Sequence, residues 1–399
     1  MPLVTTGASS AYVEDQGLYI LGGSPIADSG FATPQAVMMD LSVSWNASQP
    51  VFKALPNGPN TWSMPSSVTA DGKNWFTMTN GTGYVYNFQS AAWSTALPQS
   101  ENLNSARGLS GVTDPDTGII YVPNGYIDTN NNTSLLKVDL AAKTFDSAPM
   151  YGHLNSSHLF SSAWSSHLKS IVFFVESETD IYTYNTTEGW ELMTPTGDVP
   201  STRIDSCLVS AFGGTKMVLF GGYSGTQNTS LNDIYILDVA AMSWKRGPDV
   251  DISNRRDSSS CAFSNGQFIA WGGVNTGAEQ DIMASNSALV FSLNTTSWTS
   301  SYIASSSSPT AAPSSSPAAN PSSSSVDSSS SKKTQVAVIV GPVLGAFVVA
   351  FAIGVVIICR ARAQRIKAAN EYNERFAYPS NLSASSISGS GRSKESLVA

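Results

Sequence analysis

The sequence predicts an all-β chain: a propeller of six four-stranded blades, or seven if a closing strand lies upstream, then a disordered stalk and one transmembrane helix. Three observations carry this. A β-rich segment ending in a glycine-type turn recurs six times in the first 300 or so residues, the ends spaced by 58, 44, 52, 45 and 51 residues. Residues 304–331 hold 15 Ser, 5 Ala and 4 Pro in 28 positions. Residues 336–359 are 24 positions without a charge.

The repeated segments are LYILGG (Leu18–Gly23), NWFTMTNG (Asn74–Gly81), GIIYVPNG (Gly118–Gly125), SIVFFVES (Ser170–Ser177), KMVLFGG (Lys216–Gly222) and QFIAWGG (Gln267–Gly273). Each is followed by a second strand and an aromatic, as in YVYNFQSAAW ending at Trp93 and IYILDVAAMSW ending at Trp244. In the first unit an insertion leaves either Trp45 or Phe52 in that role. A further strand precedes each glycine run, so one period supplies the four strands of one blade. Paired glycines permit positive φ and close backbone approach, and the recurring aromatic supplies a large apolar wedge between blades.

The double glycine after an apolar strand, the Tyr and Asp of the next strand, and the Trp six residues beyond Asp238 are similar to the kelch signature, most complete in KMVLFGG…NDIYILDVAAMSW. The resemblance covers about residues 7–301, and Asn80-Gly81, Asn124-Gly125 and Ser177 depart from the double glycine. The order propeller, stalk, span and tail resembles the kelch-repeat surface proteins of filamentous fungi, often labelled galactose-oxidase-like. That resemblance implies loops presented to a partner around a central opening. A β-helix or a pair of sandwiches is the structural alternative.

Charge follows the same division. Residues 1–331 carry 12 Lys/Arg and 26 Asp/Glu, a net of −14, and residues 332–399 carry 9 and 3, a net of +6. The overall −8 excludes a nucleic-acid binder, which needs clustered cations. The propeller is assigned to residues 1–303 and the Ser/Pro/Ala-rich stalk, a carrier of O-linked sugar or a plain linker, to 304–335. The span at 336–359 is long enough for a bilayer. Arg360, Arg362, Arg365 and Lys367 beyond it put the 360–399 tail in the cytoplasm and the propeller outside, the topology of a type I plasma-membrane protein. Residues 1–20 have no signal-peptide pattern, so this topology expects the true start upstream of Met1.

Chemistry is sparse. A copper-radical site needs two His and two Tyr converging on the axis, but His153, His158 and His167 cluster around one loop of the fourth unit. No GxSxG elbow occurs. Glu176, Glu178, Asp180, Asp249 and Asp251 read as solvated loop carboxylates rather than a glycosidase dyad or a calcium set. No catalytic residue, metal or cofactor is assigned.

Arg107, Arg203, Arg255 and Arg256 recur just ahead of innermost strands in units three, five and six. Two readings stay open for them: convergence on the axis to hold an acidic ligand, or bonding between blades to loop carbonyls and to Asp205 and Asp257. Cys207 and Cys261 occupy comparable points of adjacent units, as a bridge or as two thiols. Sequons stand at Asn46, Asn80, Asn131, Asn132, Asn155, Asn185, Asn228 and Asn294. Cys359 is a palmitoylation candidate, Gly341 and Gly345 form a GxxxG that permits dimerisation, and the basic juxtamembrane run suits anionic membrane lipid. Together these features describe a cell-surface protein that recognises an extracellular protein or glycan without catalysis. A membrane-tethered carbohydrate-active or galactose-oxidase-like enzyme is the alternative.

Overall fold

The apolar runs of the repeat form six sheets, each with four antiparallel strands built from contiguous sequence and hydrogen-bonded in chain order, and the fifth sheet gains Thr196–Gly197 at its outer edge, parallel to its outermost strand. The computed structural model describes residues 1–25, 32–104, 106, 108, 110–152, 154, 160–175, 179–277 and 281–305. Blade 1 comprises Ser9–Val13, Gly17–Leu21, Ala36–Asp40 and Phe52–Leu55. Blade 2 comprises Ser66–Val68, Asn74–Thr79, Thr82–Asn87 and Ala92–Leu97. Blade 3 comprises Val112–Thr113, Ile120–Ile127, Thr133–Asp139 and Thr144–Ala148. Blade 4 comprises Phe160–Ser165, Ser170–Val175, Ile181–Asn185 and Gly189–Met193. Blade 5 comprises Cys207–Ala211, Lys216–Phe220, Ile234–Asp238 and Ser243–Arg246. Blade 6 comprises Ser260–Ser264, Gln267–Trp271, Leu289–Ser292 and Ser297–Thr299.

The chain divides into units Met1–Ala312 and Pro313–Ala399. The second unit lies outside the described residues, and with it the predicted span at 336–359, the tail, Cys359, Gly341, Gly345 and nearly all of the stalk. Among the described residues no helix is long and apolar enough to cross a membrane.

Six apolar cores fill the six interfaces between neighbouring blades, which fixes the number of blades at six. Phe76 and Met78 of blade 2 meet Ile120 and Leu136 of blade 3, and Leu18 and Ile20 of blade 1 meet Ile269 and Trp271 of blade 6. Second strands such as Ser170–Val175 and Gln267–Trp271 are buried along their whole length because both sheet faces are covered. That is why so few charges are found in these strands.

The outer-strand aromatics stitch each blade to the one before it. The indole N–H of Trp93 donates to Pro56 O (3.1 Å), that of Trp190 to Pro149 O (2.8 Å) and that of Trp298 to Pro248 O (2.8 Å). In blade 1 Phe52 takes this role, its ring 5.0 Å from that of Trp271 in blade 6.

Trp45 does something else, at ring closure. Ser301–Tyr302 pairs with Trp45–Asn46, and the Tyr302 and Trp45 rings lie 5.0 Å apart. The Tyr302 hydroxyl donates to Leu41 O at 2.9 Å and lies 2.9 Å from Ser264 Oγ. This clasp joins the end of the propeller to blade 1 at the far end of the innermost strands. At their near end, Gly7 N donates to Ser258 O and Gly273 N to Thr5 O, both at 2.9 Å.

The double glycine is a blade-to-blade contact. The second glycine donates its N–H to the next blade: Gly23 to Thr61 O, Gly222 to Arg256 O and Gly273 to Thr5 O. The first makes room for the same carbonyl, since a Cβ on Gly221 would stand deep inside the van der Waals radius of Arg256 O, and one on Gly272 only 2.6 Å from Thr5 O. Blade 3 solves the problem with a side chain, the buried Asn124 amide donating to Leu154 O at 2.9 Å.

Gly213 (φ 64°) and Gly221 (φ 61°) share a left-handed backbone, but only Gly221 faces a neighbour. Gly213→Ala is expected to cost about 1–2 kcal/mol from backbone strain alone, and Gly221→Ala clearly more. Chemical denaturation of the two variants side by side checks the difference.

Candidate functional site

The near ends of the six innermost strands surround an opening of about 150 Å³ on the propeller axis. Its wall takes two residues from every blade, short ones apart from Met64 and Phe160: Gly7 and Ala8, Ser63 and Met64, Gly108 and Ser110, Phe160 and Ser161, Asp205 and Ser206, Ser258 and Ser259.

Main-chain bonds run around this mouth from blade to blade. Ser258 N donates to Asp205 O (2.9 Å), Gly7 N to Ser258 O (2.9 Å), Ser63 N to Gly7 O (2.6 Å) and Gly108 N to Ser63 O (2.7 Å). All five residues have positive φ: 52°, 54°, 64°, 50° and 81° for Asp205, Ser258, Gly7, Ser63 and Gly108. A left-handed residue turns its peptide sideways, so that the amide points along the ring instead of up the strand. The stretch 155–159 ahead of the innermost strand of blade 4 lies outside the described residues. Because these peptide groups bond to one another, the mouth is walled chiefly by side chains, many of them hydroxyl-bearing.

Below the mouth, hydroxyls zip the innermost strands together. Ser9 Oγ donates to Met64 O (3.0 Å), Ser67 meets Thr113 (2.7 Å), Ser110 meets Ser162 (2.6 Å) and Ser161 meets Ser206 (2.9 Å). Between blades 5 and 6 the link is covalent, a Cys207–Cys261 disulfide with Cα atoms 6.1 Å apart. Of the two states the sequence left open for these cysteines, the structure has the bridge.

The arginines do not converge on the opening. Arg203 and Arg256 are each 2% exposed. Arg203 makes a two-pronged ion pair with Asp233 (2.5 and 3.1 Å) and also donates to Ser201 O (2.9 Å), Ser201 Oγ (3.0 Å) and Gly221 O (3.1 Å). Arg256 donates to Gly272 O (3.4 Å) and Ser287 O (3.3 Å), while its main-chain carbonyl holds Gly222 of blade 5. The expectation of axial ligand-binding arginines is therefore corrected for these two. The sequence did not show how deep they sit, which depends on partners about 30 residues away. Arg255 is half-buried on the mouth face, donating to Ile252 O (3.1 Å) and to Thr229 Oγ1. Arg107 lies outside the described residues.

Asp257 is buried, and that burial raises its carboxyl pKa, offset in part by hydrogen bonds from Ser230 (2.6 Å), Thr276 (3.0 Å) and Ser258 (3.1 Å). Asp249 is held by Arg246 and Asp251 accepts from Ser253, so neither belongs to a carboxylate pair. His167 is exposed at the end of the propeller away from the mouth, and His153, His158, Glu176 and Glu178 lie outside the described residues. Among the described residues no group of three or more His, Cys, Asp or Glu is placed to hold a metal. Of the sequons, Asn46 is exposed in its two-residue strand, Asn80, Asn131, Asn132, Asn228 and Asn294 are exposed between strands and Asn185 is half-buried, while Asn155 is outside the described residues. The mouth ring itself was missed; its signal is a Gly, Ser or Asp just ahead of the innermost strands of blades 1, 2, 3, 5 and 6, residues that tolerate left-handed backbone.

Six blades around one axial mouth, with double glycines in blades 1, 5 and 6 and outer-strand tryptophans in blades 2, 4, 5 and 6, define a kelch-type propeller, a fold that commonly serves as a protein-binding scaffold. Residues 172–322 match the family described as the KLHDC2/KLHL20/DRC7 Kelch-repeats domain. Among solved structures, the one described as "Structure of YjhT" superposes with a TM-score of 0.57 at 12% identity, over 75% of this chain and 98% of that one, a likeness of fold. No curated protein matches the chain.

Two predictions test the buried charges. Asp233→Ser leaves the Arg203 guanidinium buried without a counter-charge and is expected to cost about 3–5 kcal/mol of stability, read by denaturant unfolding. A raised carboxyl pKa means that Asp257 binds its proton more readily in the folded than in the unfolded chain, so its charged form weakens the fold as pH rises through that pKa. Asp257→Asn is accordingly expected to raise the thermal midpoint at pH 7 and to do so less at about pH 3, below the ordinary Asp pKa.

Proposed function

We propose that this chain is a recognition propeller displayed outside the cell, which binds a protein or glycan at its mouth without chemical turnover and is anchored by residues 336–359. The observation that carries the reading is the mouth: an axial opening to which all six blades contribute, walled mainly by hydroxyl-bearing and other short residues. Hydroxyls both donate and accept, and so suit the mixed hydrogen-bonding edges of sugars and peptides. The Cys207–Cys261 bridge supports an oxidising compartment, where such bonds persist. The route of the chain supports display: Ala304 N is bonded to Ser44 Oγ and Ile303 O accepts from Asn265, both at the end opposite the mouth. The chain therefore leaves the described propeller at the end opposite the mouth.

Ala8 and Ser110 line the mouth from blades 1 and 3. With the full chain displayed on cells and probed against glycan arrays and extracellular protein libraries, saturable binding is expected. Ala8→Trp and Ser110→Trp, which fill the opening, are each expected to lower it at least tenfold, with the unfolding midpoint held in Ala8→Trp and lowered in Ser110→Trp, which loses the Ser110–Ser162 bond. Unchanged binding in both variants overturns the assignment of the mouth.

A further inference from the structure

Blades 5 and 6 carry the same arginine but not the same partner. Arg203 and Arg256 each stand four residues ahead of the first residue of their innermost strand, and each donates from Nη1 to the first glycine of its blade's pair, Gly221 or Gly272. The register of the second and third strands sets Asp233 opposite Gly221 and Ser287 opposite Gly272. In blade 5 the Asp233 carboxylate neutralises the guanidinium. In blade 6 Ser287 offers only its main-chain carbonyl to Arg256, at 3.3 Å.

Arg256 is thus a fully buried cation with no ion pair among the described residues, and its Nε has no hydrogen-bond partner. The neighbouring Asp257 does not compensate, its carboxylate being turned to the hydroxyls of Ser230, Thr276 and Ser258. A buried charge stripped of its counter-charge is among the costliest arrangements in a protein.

We propose that a small monovalent anion, chloride being the commonest, occupies in blade 6 the place that the Asp233 carboxylate fills in blade 5, held by the Arg256 guanidinium beside Ser287. Burial pulls the Arg256 pKa down to about 10, which agrees with a cation in want of a negative neighbour. At that value the guanidinium is still charged at neutral pH and attracts an anion.

The test follows thermal unfolding of the full chain at constant ionic strength while chloride replaces gluconate from about 1 to about 100 mM. The expected result is a saturable rise in the midpoint of about 2–4 °C. Ser287→Asp, which supplies the counter-charge covalently, is expected to start at a higher midpoint in gluconate and to respond no further to chloride. Crystals grown in bromide are expected to show an anomalous peak within about 3.5 Å of the Arg256 guanidinium. Equal midpoints in the two salts, a full chloride response in Ser287→Asp, or no bromide peak at Arg256 each overturn the site; should the variant fail to fold, the wild-type titration and the bromide peak decide.

Discussion

Everything in this propeller depends on how each blade begins. A chain arriving from the outer edge of one blade must cross to the axis and start the next innermost strand, and in blades 1, 2, 3 and 6 it does so through a residue in left-handed conformation whose amide bonds to the preceding blade. The bonds linking Asp205, Ser258, Gly7, Ser63 and Gly108 hold the innermost strands at one radius. With that radius set, the apolar faces of successive sheets meet at the spacing their side chains need. The double glycines meet carbonyls of the same crossing segments, two residues earlier, so one short stretch of chain serves both the axis and the blade interface.

Much of the fold was legible in the residues, because the features that define a blade are local in sequence. Leu18–Gly23 and Gln267–Gly273 announce strand and turn together, and Trp93, Trp190 and Trp298 mark outer strands at a constant offset. Ring closure was not legible. It depends on a two-residue pairing between Trp45–Asn46 and Ser301–Tyr302, and no periodicity links positions at opposite ends of the domain. The choice between Trp45 and Phe52 was undecided for the same reason, since only the partner across the gap tells them apart.

The site was less legible than the fold. Arg203 and Arg256 look equivalent and available in sequence, whereas their burial and pairing are decided by strand register with Asp233 and Ser287. Serine, which dominates the mouth, is so abundant in this chain that no single serine stands out. Cys207 and Cys261 needed the register of two innermost strands to bring their Cα atoms to bridging distance. In each case the missing information was a distance between neighbouring strands or blades, set by packing rather than by any short motif.

The two closures of the ring lie at opposite ends of the axis and differ in kind. Near the mouth, the first residues of the domain are woven into blade 6 by main-chain bonds; at the other end, Tyr302 plugs into blade 1 with its ring and hydroxyl. Tension transmitted along the chain from beyond Ala304 therefore meets the bonds of Ala304 to Ser44 and of Ile303 to Asn265 and Gln267 first, and Tyr302 next. Release of these contacts would lengthen the chain beyond the propeller by a few residues before the outer strand of blade 6, Ser297–Thr299, is loaded.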